Sequence, residues 1–109
     1  MIGKLVGHEP VISFVTLGEL TKWVTKRDWG PHRRAQLLRW LDSVGVVHTT
    51  DRIAQTWGEL VTFAERRGRS MPVNDSWIAA CCIAHGLPLA THNIKDYVDV
   101  VEHEGLVLI

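Results

Sequence analysis

Cysteine is scarce in this chain of 109 residues, which contains two, Cys81 and Cys82, as direct neighbours. Adjacent cysteines form only a strained disulfide and neither has another partner, so we expect two buried thiols in a reducing compartment, the cytoplasm. The chain also lacks an apolar run of the roughly 20 residues that a membrane span requires. Residues 1–10 do not have the pattern of a secretory signal peptide. The sequence therefore predicts no membrane association.

Several catalytic signatures are absent as well. The chain contains no Gly-rich phosphate loop, no G-x-S-x-G and no H-E-x-x-H, and its six histidines are scattered rather than placed at zinc-ligand spacing. Twelve basic residues balance twelve acidic ones, so the net charge of zero does not indicate nucleic acid or membrane as a partner. Several common classes of enzyme thus lose their support.

The zero net charge conceals an asymmetry along the chain. Residues 20–69 carry ten bases and five acids, a charge of +5, whereas residues 70–109 carry five acids and one base, a charge of −4. A basic middle beside an acidic end could hold a polyanion next to metal-binding carboxylates. Two solvated faces would give the same pattern, so both interpretations stay open at this point.

The hydrophobic pattern predicts an α/β fold with a parallel sheet, because short apolar runs alternate with helical segments. We expect strands at 11–15, 46–48, 87–91 and 106–109. The T-x-x-E spacing of Thr16 and Glu19 predicts a capping box at the start of the first helix. The later signals are Pro31 in a first turn, Thr50 as a cap, and a helix from Asn74 or Asp75 to His85 that ends at Gly86. The five tryptophans are expected in the core or at an interface.

Three acids lie at the predicted ends of these elements. Glu19 and Asp75 fall in first turns of helices, and Asp96 follows the strand that ends at Thr91. Strand ends and the starts of the following helices share one edge of a parallel sheet, where ligands bind. Carboxylates at that edge suit Mg²⁺ or Mn²⁺, which prefer oxygen ligands. Each acid also has a simpler role, as a capping partner, a helix-dipole partner or a turn residue.

Three segments resemble the later motifs of PIN domains. Residues 12–20 (ISFVTLGEL) resemble the second acidic motif, residues 74–80 (NDSWIAA) the third, and residues 86–97 (GLPLATHNIKDY) the fourth. They occur in family order and cover nearly the whole chain. The most similar branch is the VapC-type toxins of bacterial toxin–antitoxin pairs.

The resemblance implies a three-layer α/β/α PIN-like fold and a metal-dependent endoribonuclease, the toxin of a type II pair. Glu19, Asp75 and Asp96 would bind Mg²⁺ or Mn²⁺ and carry catalysis, through a metal-activated water that attacks the RNA phosphodiester. The implied supporting residues are Thr16, Asn74, Thr91 and Asn93. The residues expected to contact the RNA backbone are Arg33, Arg34, Arg66, Arg67 and Arg69. The implied partners are RNA, a VapB-type antitoxin and a second copy of the chain.

One family motif has no counterpart here. PIN domains open with a strand carrying L-D-T-[NS], and no Asp precedes Pro10 in this sequence. We therefore expect residues 1–109 to form a single, N-terminally truncated PIN-like domain that lacks the first strand and one metal-site acid. A catalytically silent PIN remnant that binds an antitoxin or dimerises is the alternative. A helix-turn-helix DNA binder built from residues 17–42 ranks low, because it leaves Asp75 and Asp96 without a role.

Overall fold

The computed structural model describes residues 11–109. Residues 1–10, in which the sequence has no counterpart of the first PIN motif, lie outside the described residues. Within that range the elements are two short strands, five helices and one 3₁₀ turn. In chain order they are β1 (Val11–Ser13), α1 (Phe14–Lys26), α2 (Pro31–Ser43), β2 (Gly45–Val47), α3 (Asp51–Arg66), α4 (Val73–His85), the 3₁₀ turn (Ile94–Asp96) and α5 (Val98–Glu104).

The sheet is parallel, as predicted, but smaller than predicted. Strand β1 pairs with β2 in a register that places Ile12 beside Val46. The expected strands at 87–91 and 106–109 are reduced to a single parallel bridge between Leu89 and Leu108. The Leu87 N–H donates to Cys82 at the end of α4, at 2.8 Å, and Pro88 has no N–H to donate. Pairing can therefore begin only at Leu89, which shortens this part of the sheet.

The start of α1 corrects the sequence prediction. Ser13, rather than Thr16, caps this helix, and its hydroxyl accepts a hydrogen bond from the Thr16 N–H at 3.0 Å. The Thr16 hydroxyl lies 3.1 Å from that of Ser13. Helix α1 consequently begins at Phe14, and Glu19 falls in its second turn instead of in a capping box. The prediction was wrong because Ser13 is an equally competent cap three residues earlier.

Three other predicted boundary residues are confirmed, whereas α4, expected to begin at Asn74 or Asp75, begins at Val73 with no side-chain cap. Pro31 occupies the first turn of α2. The Thr50 hydroxyl accepts the Ile53 N–H at 3.2 Å and caps α3. Gly86 ends α4 in the left-handed conformation, with φ of 64°, which favours glycine. Each of these residues acts on backbone within a few positions of itself, so its effect can be predicted from the sequence alone.

The core lies between α3, α4 and the C-terminal segment. Helix α4 contributes four consecutive buried residues, Ala79 to Cys82, against Ile53 and Leu60 of α3 and Val100 of α5. Both cysteines are buried and free, as expected, and burial raises the pKa of Cys81 to about 11 and that of Cys82 to about 12. No helix in residues 11–109 has the length and apolar character needed to cross a membrane.

Candidate functional site

Asp75 lies in the first turn of α4 and is partly buried. Burial is the main cause that raises the pKa of its carboxyl group. The nearby Tyr97 hydroxyl lowers that pKa by hydrogen bonding, whereas the charge of Asp96 raises it further. The charge of Asp96, 21 positions further along the sequence, thus acts on the Asp75 carboxyl group.

A tight turn presents Asp96. The Thr91 hydroxyl accepts the Asn93 N–H at 3.1 Å, and the Asn93 carbonyl accepts the Asp96 N–H at 3.1 Å. Two of the expected supporting residues thus form the backbone turn that carries the carboxylate, which lies in the 3₁₀ turn before α5. Their hydrogen bonds fix the backbone conformation of the turn that presents Asp96.

Tyr97 is a site residue that sequence reasoning missed. Its side chain is 3% exposed, and both burial and the charge of Asp75 raise the pKa of its hydroxyl. The phenol therefore stays protonated and can donate to the Asp75 carboxylate. Its place directly after Asp96 was the one signal in the sequence that could have found it.

Glu19 stands apart from the two aspartates. It is exposed on α1 and lines a shallow groove between α1 and α4, whose other lining residues include Lys22, Asn74 and Trp77. The stacked rings of Trp57 and Trp77, 4.4 Å apart, support the α4 side of this groove. Asn74 therefore lines the same groove as Glu19, whereas the carboxyl group of the adjacent Asp75 is influenced by Asp96.

The donor set for a metal ion is consequently partial. Among residues 11–109, no three His, Cys, Asp or Glu side chains are grouped closely enough to hold one ion. Asp75 and Asp96 nevertheless offer hard oxygen donors, and neither lies within ion-pair distance of a basic side chain in this range. Two like charges without a cationic partner fit a divalent cation such as Mg²⁺ or Mn²⁺. The structure does not bring Glu19 into that pair.

Arg67 differs from the other four arginines expected to contact RNA. Its guanidinium donates three hydrogen bonds to Asp99, two from Nε at 3.1 and 3.2 Å and the shortest from Nη2 at 2.7 Å, and one from Nη1 to Glu104 at 2.9 Å. The hydrogen bonds from Arg67 hold the pKa of Asp99 below its usual range. Arg67 is thus engaged in joining the end of α3 to α5, which the sequence could not show because its partners are 32 and 37 residues away.

The remaining arginines lie on two surfaces. Arg69 shares a groove with Lys95 and Asp96, and Arg66 lies over the Phe63 ring at 6.0 Å. Arg33 and Arg34 begin α2 and contact Trp29 instead. Of the five expected RNA-contacting arginines, Arg67 and Arg69 line the groove that contains Asp96, and the other three do not.

Comparisons with known proteins identify the family of the chain. The PIN domain family description matches residues 2–100, and the chain belongs to the PIN domain family. The chain is 31% identical to ribonuclease VapC4 of Mycobacterium tuberculosis, over 96% of this chain and 82% of that protein. It is 29% identical to ribonuclease VapC1 of Haemophilus influenzae strain R2866, over 80% of this chain and 65% of that protein, just under two thirds of its length.

A solved structure confirms the PIN-like fold. The chain is similar to the crystal structure of VapBC2 from Rickettsia felis bound to a DNA fragment from their promoter, with a TM-score of 0.80 and 28% identity. The similarity covers 91% of this chain and 72% of that chain. The expected PIN-like architecture and the resemblance to VapC-type toxins are both confirmed, with helices around a small parallel sheet.

Proposed function

We propose that this protein is a VapC-type endoribonuclease, the toxin of a type II toxin–antitoxin pair. The observation that carries the proposal is the Asp75–Asp96 carboxylate pair at the start of α4 and in the turn before α5. It is held by a PIN domain whose relatives include proteins named ribonuclease VapC and a VapBC complex. A VapB-type antitoxin is the partner, RNA is the substrate, and the chain acts in the cytoplasm as a homodimer.

The chemistry assigned to this site needs a divalent cation. Asp75 and Asp96 would hold Mg²⁺ or Mn²⁺, and the bound ion would supply an activated water and offset charge on the phosphate. Tyr97 orients the Asp75 carboxylate, and Thr91 and Asn93 hold the turn of Asp96. Glu19 completes the proposed acidic set from α1, with Thr16 and Asn74 supporting that side.

The RNA backbone is assigned to the basic side chains around this site. Phosphate contacts depend mainly on Lys and Arg. Arg69 lines the groove that contains Asp96, whereas Arg33, Arg34 and Arg66 lie outside its lining and would contact the RNA further along the strand. Arg67 is a weaker candidate for an RNA contact, because its guanidinium already forms ion pairs with Asp99 and Glu104.

A catalytically silent PIN remnant is the second candidate function. The observation in its favour is that residues 11–109 do not group three acids around one position. Such a protein would retain antitoxin binding or dimerisation while lacking cleavage. It differs from the first proposal in its metal affinity and in its activity on RNA.

Cleavage of total RNA with Mg²⁺, with Mn²⁺ and with EDTA tests the proposal. The matched variants are Asp96→Asn, at the site, and Asp42→Asn, an exposed aspartate on α2. We expect metal-dependent cleavage by the parent chain and by Asp42→Asn, and loss of cleavage in Asp96→Asn. A folded chain that binds an antitoxin but neither cuts RNA nor binds Mn²⁺ in calorimetry would establish the silent remnant instead.

A further inference from the structure

Two tryptophans lie outside the core, at the junction of α1 and α2. Trp23 is 44% exposed, and its ring meets that of Trp29 edge-on, with centroids 4.9 Å apart and an interplanar angle of 65°. The sequence led us to expect tryptophans in the core or at an interface. An exposed, braced indole instead offers a flat surface to a ligand.

Cations surround this aromatic pair. The Arg27 guanidinium lies over the Trp23 ring at 5.5 Å, and that of Arg33 lies over Trp29 at 4.0 Å. The Arg34 Nε donates to the Trp29 carbonyl at 2.8 Å. Residues 22–34 carry five Lys or Arg side chains and one acid, Asp28. The surface is thus both aromatic and strongly positive.

This surface continues from Glu19, the acid that α1 contributes to the proposed set. Glu19 and Trp23 are spaced by four residues on one face of α1, Arg27 caps the end of that helix four residues later, and all three are exposed. With a rise of about 1.5 Å per residue, Trp23 lies roughly 6 Å along the helix from Glu19, and Arg27 roughly 6 Å further. A single strand that reaches Glu19 can therefore pass over Trp23.

We propose that Trp23, braced by Trp29, stacks a base of single-stranded RNA whose phosphates contact Arg27 and the neighbouring cations. The proposal rests on the proposed function, because it assigns a binding site for the substrate of that activity. Aromatic rings interleaved with cations bind single strands through base stacking and phosphate neutralisation. An acidic peptide would match the charges but would leave the exposed indole face without a stacking partner.

Binding of two RNA oligonucleotides, followed by fluorescence anisotropy, tests the stacking. One is a labelled 12-nucleotide single strand, and the other has the same backbone but lacks its bases. The measurements use the Asp75→Asn chain in EDTA, so that no cleavage interferes. We expect Trp23→Ala to weaken binding of the first oligonucleotide roughly 30-fold, the middle of the range for one base–aromatic stack, and to leave the second unchanged.

Trp40 provides the matched control. It is 42% exposed, on α2, and among the described residues no arginine or lysine lies over its ring. Trp40→Ala should bind both oligonucleotides like the parent chain, and Trp23→Phe, which keeps an aromatic face, should retain most of the affinity. Circular dichroism confirms that each variant is folded.

Salt dependence separates stacking from charge. Trp23→Ala should leave the slope of log affinity against log salt unchanged, because stacking releases no counterions. Arg27→Met should make that slope shallower by about 0.7, the value expected for one lost phosphate contact on a single strand. A change in affinity without a change in the salt slope thus identifies stacking by Trp23, and a change in the slope identifies the phosphate contact of Arg27.

Three results would overturn the inference. If Trp23→Ala loses affinity equally for the two oligonucleotides, Trp23 does not contact bases. If Trp23→Ala and Trp40→Ala lose equal affinity, the effect is not specific to the Trp23 surface. If Trp23→Ala weakens binding of an acidic antitoxin peptide but not of RNA, the surface belongs to a protein partner. A chain that binds neither oligonucleotide would overturn the proposed function, and the inference with it.

Discussion

Helices α3 and α4 differ sharply from α1 and α2 in how many residues they bury. Helix α4 alone has six buried residues, and α3, which packs against it, has three. Helix α1 buries only Val24, and α2, residues Pro31–Ser43, buries no side chain fully. Leu38 of α2 is 61% exposed.

The residues of the proposed site are divided between these two regions of different packing. Asp75 and Asp96 belong to the densely packed region, where α4 and a hydrogen-bonded turn fix them. Glu19 and the Trp23 surface belong to the thinly packed region, where few buried groups fix α1. Precise placement of metal ligands needs rigid support, whereas a flexible RNA strand can be bound by an exposed surface. We therefore propose that the first region carries catalysis and that the second binds part of the substrate.

The largest effect should come from Asp75→Asn. We expect a loss of at least about 100-fold in the rate of RNA cleavage, because removal of a charged ligand disturbs both charge stabilisation and positioning of the attacking water. Burial and Asp96 raise the pKa of Asp75, so the ionised form is less favoured in the folded chain than in the unfolded one. In EDTA at pH 7, the variant should therefore be at least as stable as the parent chain.

Glu19→Gln is the comparison on α1, and its loss of activity should be smaller than that of Asp75→Asn. Single-turnover cleavage and thermal unfolding give the two measurements. If Glu19→Gln is the more damaging change, the densely packed region does not carry the catalytic centre and the division of the site is wrong.

The second prediction compares one leucine from each region. Leu60→Ala should lower the free energy of unfolding by roughly 2–5 kcal/mol, because Leu60 is 2% exposed and its loss leaves a cavity in the core. Leu38→Ala removes the same atoms from an exposed position and should change it by less than about 0.5 kcal/mol. Urea denaturation measures both, and similar losses would mean that α2 is covered in solution.

The third prediction concerns the ion pair that joins α3 to α5. Arg67 lowers the pKa of Asp99, so the pair stabilises the folded chain above the unfolded pKa of about 3.9, and this stabilisation disappears as pH falls through the lower folded pKa. Arg67→Met should therefore lower the melting temperature at pH 7. The deficit should shrink below about pH 4, once Asp99 is protonated.

Arg66→Met is the control for that measurement, because Arg66 lies over Phe63 and forms no ion pair among residues 11–109. Its melting temperature should follow that of the parent chain from pH 7 to pH 3. A deficit in Arg67→Met that stays constant over this range would show that lost packing of the side chain, rather than the ion pair, causes it.

Local signals explain what the sequence predicted well. Thr50, Pro31 and Gly86 act on backbone within a few residues, and the parallel sheet follows from alternation of short strands and helices. The same locality produced the mistake at α1, where Ser13 and Thr16 both fit the pattern of a cap and the sequence does not rank them.

Contacts between distant residues explain what the sequence missed. The pairing of Arg67 with Asp99, the effect of Tyr97 on Asp75 and the exposure of Trp23 all depend on how helices pack, which no spacing encodes. For the site, the motif resemblance supplied the proposed acids. The structure supplied the separation of Glu19 from Asp75 and Asp96.

The smallest expected effect tests whether the two regions unfold together. Gly18 in α1 and Gly58 in α3 both have open space where a Cβ would be added. Replacing a glycine inside a helix by alanine stabilises by roughly 0.5–1 kcal/mol, mainly because the unfolded chain loses freedom. The gain does not depend on neighbouring side chains, so Gly18→Ala and Gly58→Ala should raise the free energy of unfolding equally if unfolding is a single transition. We expect equal gains in the free energy of unfolding, because the Phe14 ring contacts that of Trp77, at 6.1 Å between centroids, and connects α1 to α4.

A gain for Gly58→Ala without one for Gly18→Ala would mean that α1 opens before the core does. The exposed face that carries Glu19 and Trp23 would then be ordered only when a ligand binds it.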